Sequence, residues 1–124
     1  MSKIHKFIGS QDNFRWEDVA VTEYKDDHEG ITRQVFIGPE EESNNFNLRY
    51  FRLDPGTQSS LESHPHEHGI LVLHGRARVQ IDDEYFEVGP NDAVFVSGNV
   101  LHQFVPIGDE PLGFLCVINP NDRE

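Results

Sequence analysis

The chain has few of the residues that form crosslinks or attract polyanions. Its 124 residues include one cysteine, Cys116, which excludes an internal disulfide framework. Ten basic residues stand against 22 acidic ones, a formal net charge of −12, which argues against nucleic acid and anionic membranes as partners. No apolar run approaches the roughly 18 residues that a membrane-spanning helix requires. These absences favour a globular domain whose partner is a small molecule.

The start of the chain carries no secretion signal pattern. MSKIHKFIGSQ lacks both a long apolar core and a small-residue cleavage site. Together with the lone cysteine, this predicts a cytoplasmic protein. The length predicts one domain, 1–124, with a core at about 19–118 and flexible, loosely held polar ends.

Short segments of β-forming residues recur along the chain, separated by glycine, proline, asparagine and aspartate. We predict strands at 19–25, 31–38, 46–53, 69–74, 76–82, 84–88, 92–96, 101–106 and 112–118. Strands at spacings near ~8–12 residues indicate an all-β sandwich or barrel. No helix longer than a turn or two is predicted.

The segment NFNLRYFRL at 45–53 is apolar on both of its alternating faces. One face therefore lines the interior, while the other needs cover from a neighbouring element or a second subunit, which favours a homodimer. Arg49 either points inward or lies at the surface with a buried stem, and the alternation leaves both open.

Histidine is concentrated in LESHPHEHGILVLHGR, residues 61–76, which holds four of the seven histidines. Residues two apart on a strand face the same way, so four side chains are candidates to converge on one point: Glu62, His64, His66 and His68. Imidazole nitrogens and a carboxylate suit a divalent first-row metal. Pro65 and Gly69 interrupt the strand, so this parity alone does not select the ligands.

The intervals in this segment resemble the first motif of the cupin superfamily. In that motif a glycine is followed after five residues by His-x-His, then by a glutamate and a second glycine. Here Gly56 is followed after five residues by Glu62, and His64, His68 and Gly75 come at the family's intervals. Glutamate takes the first histidine position and His68 takes the glutamate position, and both side chains bind metals.

The family's second motif resembles GPNDAVFVSGNVLHQFVP, residues 89–106. His102 stands at the histidine position. Ser97, Asn99 and Pro106 replace the family's proline, glycine and asparagine. The two motifs together cover residues 56–106.

The resemblance implies a double-stranded β-helix, the jelly-roll β-barrel of cupins. It also implies a metal held by Glu62, His64, His68 and His102, with manganese, iron(II), nickel, cobalt, copper and zinc all compatible. His66 is then expected at the pocket mouth, or as a ligand in place of Glu62. His74 is expected at the solvated rim, and His5 and His28 have no assigned role.

The parity of two later strands predicts further pocket residues. Phe104 shares a face with His102, and Cys116 shares one with Phe114, so Cys116 either faces the metal or is a small buried hydrophobe. Arg49, if inward, joins them. Five phenylalanines are expected to make the pocket apolar: Phe36, Phe51, Phe95, Phe104 and Phe114.

Several functions are compatible with this site. The resemblance favours a metal-dependent, dioxygenase-like oxidoreductase acting on a small organic substrate, with Glu62 beside an open metal position to take a proton. A metal-dependent isomerase or lyase, and a non-catalytic module that binds or senses a small molecule, remain alternatives because fold alone does not decide activity.

Overall fold

The computed structural model describes residues 2–24 and 29–120, and nearly every regular element in these ranges is a β-strand. The strands are β1 Thr22–Glu23, β2 Ile31–Ile37, β3 Asn47–Leu53, β4 His68–His74, β5 Arg76–Ile81, β6 Glu84–Val88, β7 Ala93–Val96, β8 His102–Ile107 and β9 Leu112–Ile118. A single 3₁₀ turn, Pro39–Glu41, interrupts them within these ranges. Among the described residues, no helix is long and apolar enough to cross a membrane.

Two antiparallel sheets form the domain. The larger has the strand order β1-β2-β3-β9-β4-β7, and the smaller has the order β6-β5-β8. Their inner faces meet in one apolar core, whose most buried members are Ile31, Leu53, Val72, Ala77, Val79, Val96 and Leu112. The predicted all-β jelly-roll architecture is confirmed.

The register of the larger sheet sets which side chains share its inner face. β3 and β9 pair with Arg49 opposite Cys116, and β4 and β9 pair with Ile70 opposite Cys116. Directly paired residues point to the same side of a sheet. The side chains of Arg49, Cys116 and Ile70 therefore form a row across the inner face. Ile70 lies two residues after His68, the first residue of β4.

The first predicted strand is much shorter than expected. The structure has a strand only at Thr22–Glu23, and both residues are exposed. They pair with β2 alone, at the edge of the sheet. Residues 25–28, with His28, lie outside the described part of the chain.

The N-terminal segment packs on the outer face of the larger sheet, whereas the sequence analysis predicts a loosely held end. Trp16 contacts Phe36 with ring centroids 4.3 Å apart, and Phe14 stacks on Tyr50 at 5.5 Å. The Gln34 side-chain amide donates a hydrogen bond of 2.8 Å to the carbonyl of Phe14. The apolar outer face of β2 and β3 needs cover, and this segment supplies part of it.

His74 is a packed structural residue, which corrects its expected place at the solvated rim. Its Nε2 accepts a 2.6 Å hydrogen bond from the Tyr50 hydroxyl, and its Nδ1 donates one of 3.0 Å to the carbonyl of Pro111. Gly113 makes room for the ring, since a Cβ there would collide with it. Burial lowers the pKa of His74, so the ring remains neutral and holds both bonds.

Candidate metal centre

The two histidine-bearing motifs meet at one end of the space between the sheets. His68 opens β4 of the larger sheet, and His102 opens β8 of the smaller one. The backbones of Glu62 and His102 exchange two hydrogen bonds, of 3.1 and 2.8 Å, as an isolated antiparallel bridge. This bridge brings the first motif beside the second.

The alternation predicted for the first motif persists despite Pro65. Side chains at odd positions are exposed: Leu61, Ser63, Pro65 and Glu67. Those at even positions are half-buried: Glu62, His64, His66 and His68. The extended backbone therefore turns one row of metal-competent side chains toward the interior.

Three histidines are positioned to bind a metal ion. His64, His68 and His102 each offer one ring nitrogen, and these nitrogens all lie within 4.8 Å of one another. The rings of His68 and His102 are 4.9 Å apart between centroids, and those of His64 and His102 are 5.2 Å apart. Such spacing lets the three nitrogens converge on one ion after a small closing of the rings, since imidazole nitrogens bind zinc at about 2.0–2.1 Å.

Two of these rings, those of His68 and His102, have a nitrogen lone pair suited to metal binding. Nδ1 of His102 donates a hydrogen bond of 2.9 Å to the carbonyl of Val100, so its Nε2 carries the lone pair. Burial, and then the neighbouring His102, lowers the pKa of His68 to about 3. His68 is therefore neutral at physiological pH.

A buried nitrogen of His68 lacks a protein partner. Nε2 of His68 has no hydrogen-bond partner among the described residues, while its Nδ1 lies 3.3 Å from the sulfur of Cys116. Leaving a buried polar atom unsatisfied is unfavourable. A metal ion at the centre of the three histidines satisfies this atom, so the donor set fits a divalent metal.

Glu62 and His66 border the three-histidine group. Oε1 of Glu62 lies 3.5 Å from Nε2 of His64, at the edge of the group. The ring of His66 lies nearly parallel to that of His64, with centroids 4.6 Å apart, and it is not among the residues that line the cavity. Glu62 therefore remains a candidate fourth ligand or base, and His66 lies beside His64 and His68, with its ring centroid 4.7 Å from that of His68.

Arg49 points inward, which resolves the alternatives left by the sequence. Its side chain is buried, and Nη2 donates a hydrogen bond of 3.1 Å to the sulfur of Cys116. Burial raises the pKa of the Cys116 thiol, an effect that Arg49 opposes. Cys116 thus connects Arg49 to His68 through contacts of one sulfur atom.

A cavity of about 60 Å³ opens beside the histidines. Arg49, Cys116 and Phe104 line it, together with Phe51 and Phe114. The other two phenylalanines expected there lie elsewhere. Phe36 packs under Trp16 on the outer face, and Phe95 is exposed on β7. Strand parity could not exclude them, because both faces of these strands carry apolar residues.

Six further residues line the cavity without having been predicted from the sequence: Tyr24, Ile31, Leu53, Ser59, Ser60 and Ile70. Ser59 pairs with Phe104 of β8, both through its backbone and through its hydroxyl, which accepts a 2.8 Å hydrogen bond from the Phe104 backbone amide. Ser60 lies two residues before Glu62, so in an extended backbone its side chain faces the same way, and this alternation could have identified it. No comparable signal marks Tyr24.

Known proteins resemble this chain across most of its length. A family model described as a cupin domain matches residues 49–118. A protein named 1-methylthio-D-xylulose 5-phosphate methylsulfurylase, from Rhodospirillum rubrum, is 37% identical over 113 residues, which cover 88% of this chain and 71% of the relative.

Two solved structures have the same fold. A cupin-2 domain protein from Rhodospirillum rubrum superimposes with a TM-score of 0.82 at 36% identity, covering 95% of this chain and 80% of that one. A cupin 2 conserved barrel domain protein from Rhodopseudomonas palustris gives 0.82 at 29% identity, covering 98% and 83%.

Proposed function

The chain belongs to the cupin family, and from this premise we propose that it is a divalent-metal-dependent enzyme acting on a small oxygen-bearing organic substrate. The observation that carries the proposal is the convergence of His64, His68 and His102 beside a largely apolar cavity. Sites for small ligands combine apolar walls with a few placed polar groups in this way.

The proposed metal ligands are His64, His68 and His102, with Glu62 as the fourth. Manganese, iron(II), cobalt, nickel, copper and zinc are all compatible with nitrogen and carboxylate donors. When bound, the ion would supply Lewis acidity toward a substrate carbonyl. The chain itself orients the ligand rings, through the contacts of His102 with Val100 and of His68 with Cys116.

Glu62 is also the proposed catalytic residue. It is the one carboxylate among the described residues that line the cavity, and its oxygen lies 3.5 Å from His64. A carboxylate at this place can take a proton from a bound substrate and return it. Its half-buried side chain keeps access to the cavity.

Replacing Glu62 and His66 separately should distinguish their roles. Glu62→Ala is expected to lower the metal content, because it removes a charged oxygen donor, whereas His66→Ala should leave it near the wild-type value. Elemental analysis of untagged protein measures both. The reverse pattern would show that the loop around Pro65 rearranges and makes His66 the ligand.

Two reaction classes are supported by different observations. The methylsulfurylase relative is named for a ketose phosphate, a compound with neighbouring carbonyl and hydroxyl oxygens, and its name includes no oxygenation, which favours chemistry without molecular oxygen on a small hydroxycarbonyl compound. The dioxygenase-like oxidoreductase implied by the sequence resemblance is the second candidate. The apolar cavity walls favour it, since they exclude water from a reactive site.

Turnover in air and under nitrogen separates these classes. We expect metal-loaded protein to convert members of a panel of hydroxy ketones and their phosphates equally well in both atmospheres, followed by NMR of the products and by an oxygen electrode. Oxygen consumed in proportion to product would establish the oxidoreductase instead. Binding without conversion in either atmosphere would leave a sensing module.

We also propose that the chain forms a homodimer through the outer face of β4, β7 and β9. Phe95, Leu71 and Val117 remain 62%, 40% and 38% exposed there, while the N-terminal segment covers the outer side of β3. The pairing of Phe95 with Gly69 and of Gly69 with Val117 makes the patch continuous. Contiguous exposed apolar surface of this kind marks interaction sites.

Light scattering should give twice the 14.2 kDa chain mass at micromolar concentration. Phe95→Glu should shift the protein toward monomer, since it places a charge within the apolar patch. Tyr85→Glu, on the exposed edge strand β6, is the matched control and should leave the mass unchanged. A wild-type mass equal to one chain would contradict the dimer.

A further inference from the structure

Arg49 is a buried cation with no counter-charge in the described part of the chain. The residue is only 7% exposed, and no carboxylate lies within ion-pair distance of it among residues 2–24 and 29–120. Its Nε is buried and has no hydrogen-bond partner among these residues. The guanidinium therefore has unused donor capacity inside the fold.

The contacts that Arg49 does make are weak substitutes for an anion. Nη2 donates to the sulfur of Cys116, a poor acceptor, and Cζ lies 4.8 Å from the centroid of the Phe51 ring. A cation over a ring face gains some stabilisation, but a buried charge ordinarily requires a paired anion. The protein thus retains an unfavourable arrangement that a bound anion would relieve.

The position of Arg49 indicates where a bound anion would lie relative to the three histidines. Arg49 lines the same cavity as the three histidines, and the sulfur of Cys116 contacts both Arg49, at 3.1 Å, and His68, at 3.3 Å. A compound that binds Arg49 is therefore only a few atoms from the proposed metal position. The carboxylate of Glu62 lies on the His64 side of the cavity.

We propose that Arg49 binds the carboxylate or phosphate group of a small organic anion whose neighbouring oxygens face His64, His68 and His102. This inference rests on the proposed function and names its substrate class. A guanidinium suits such a group because its planar set of N–H donors matches carboxylate and phosphate oxygens.

Matched pairs of anionic and neutral compounds test the assignment by calorimetry on manganese-loaded protein. The pairs are glycolate with glycolamide, for a carboxylate, and dihydroxyacetone phosphate with dihydroxyacetone, for a phosphate. In Arg49→Met, the affinity for the anionic member of the pair that fits should fall about 10- to 100-fold, as expected for a charge-assisted hydrogen bond. The affinity for its neutral partner should change little.

Arg78→Met is the matched control, because it removes the same charge from an exposed side chain that lies over Tyr85 in the other sheet. It should leave both affinities unchanged. Arg49→Gln repeats the test with a side chain that still donates a hydrogen bond, should the methionine variant fold poorly. The pair whose anionic member loses affinity in Arg49→Met shows whether Arg49 binds a carboxylate or a phosphate.

Thermal unfolding of the metal-free protein gives a second readout. Arg49→Met should unfold at a temperature no lower than that of the wild type, because it removes a buried charge that lacks a partner. A marked decrease, combined with equal affinities for the anionic and neutral compounds, would make Arg49 a structural residue and overturn the inference.

The inference and the proposed function fail separately. Three results would overturn the role of Arg49. The first is that Arg49→Met loses as much affinity for the neutral compounds as for the anionic ones, and the second is that it loses no affinity for either anion. The third is that the wild type binds neither anion. The proposed function instead fails if the neutral compounds bind equally well to metal-loaded and metal-free protein.

Discussion

His102→Ala is expected to remove most of the metal from the protein, and His64→Ala should do the same. Each variant deletes one of three converging nitrogens. Loss of a residue that merely supports a ligand costs 10- to 100-fold in metal affinity, so loss of a ligand should cost more than ~100-fold. Elemental analysis of untagged protein and titration with Mn²⁺ measure the effect.

His5→Ala is the control for this experiment. His5 lies away from the three histidines, with its ring nitrogens near the carbonyl of Glu17 and the carboxylate of Glu41. It should keep one equivalent of metal per chain. If His64→Ala and His102→Ala both retain a full equivalent, the three-histidine centre is not the metal site.

Acid should weaken metal binding in the wild type, because protons compete for the imidazole nitrogens. His68 contributes little to this competition. Burial lowers its pKa to about 3, so its nitrogen keeps its lone pair well below neutral pH.

Metal-loaded protein is expected to bind small oxygen chelators that the metal-free protein does not bind. The reason is that a chelator's two oxygens would bind the ion, whereas the largely apolar cavity offers the metal-free protein mainly Arg49 to hold an oxygen-rich compound. We expect 2,4-pentanedione and small 2-hydroxy acids to show at least ~100-fold weaker affinity for the metal-free form, equivalent to losing about 3 kcal/mol. Calorimetry with both forms measures this.

His102→Ala treated with metal is the control, and it should behave as the metal-free wild type. Equal binding with and without metal would place the binding energy in the protein alone. Absence of binding for every chelator would leave only the non-catalytic sensing module.

Most of the fold could be predicted because local signals agree with the sheets. The segments at β3, β5, β6 and β9 are bounded by turn residues, and Asp82, in the turn between β5 and β6, has the positive φ of 54° that a tight hairpin favours. The shortened β1 is the main difference. Its residues have strand propensity but pair with only one neighbour.

The sequence motifs predict His64, His68 and His102 as neighbouring ligands, but they do not predict the direction of Arg49. The intervals around Gly56 and Gly75 put His64 and His68 in one row, and the second motif added His102. Alternation could not decide the direction of Arg49, because both faces of β3 carry apolar residues. That direction depends on the pairing of β3 with β9, a contact between residues far apart in the chain.

The positions of Phe14, Trp16 and His74 could not be predicted for a similar reason. Isolated aromatic residues in a polar segment have no periodicity that reveals their contacts. Phe14 and Trp16 pack on the outer face of the sheet through tertiary contacts alone. His74 likewise depends on tertiary contacts for its hydrogen bonds with Tyr50 and Pro111.

An anomalous difference map from crystals of the manganese-loaded protein tests the central claim most directly. We predict one strong peak per chain within about 2.0–2.3 Å of a ring nitrogen of each of His64, His68 and His102. A peak at any other position, or no peak in protein that carries a full equivalent of manganese, would contradict the metal centre described above.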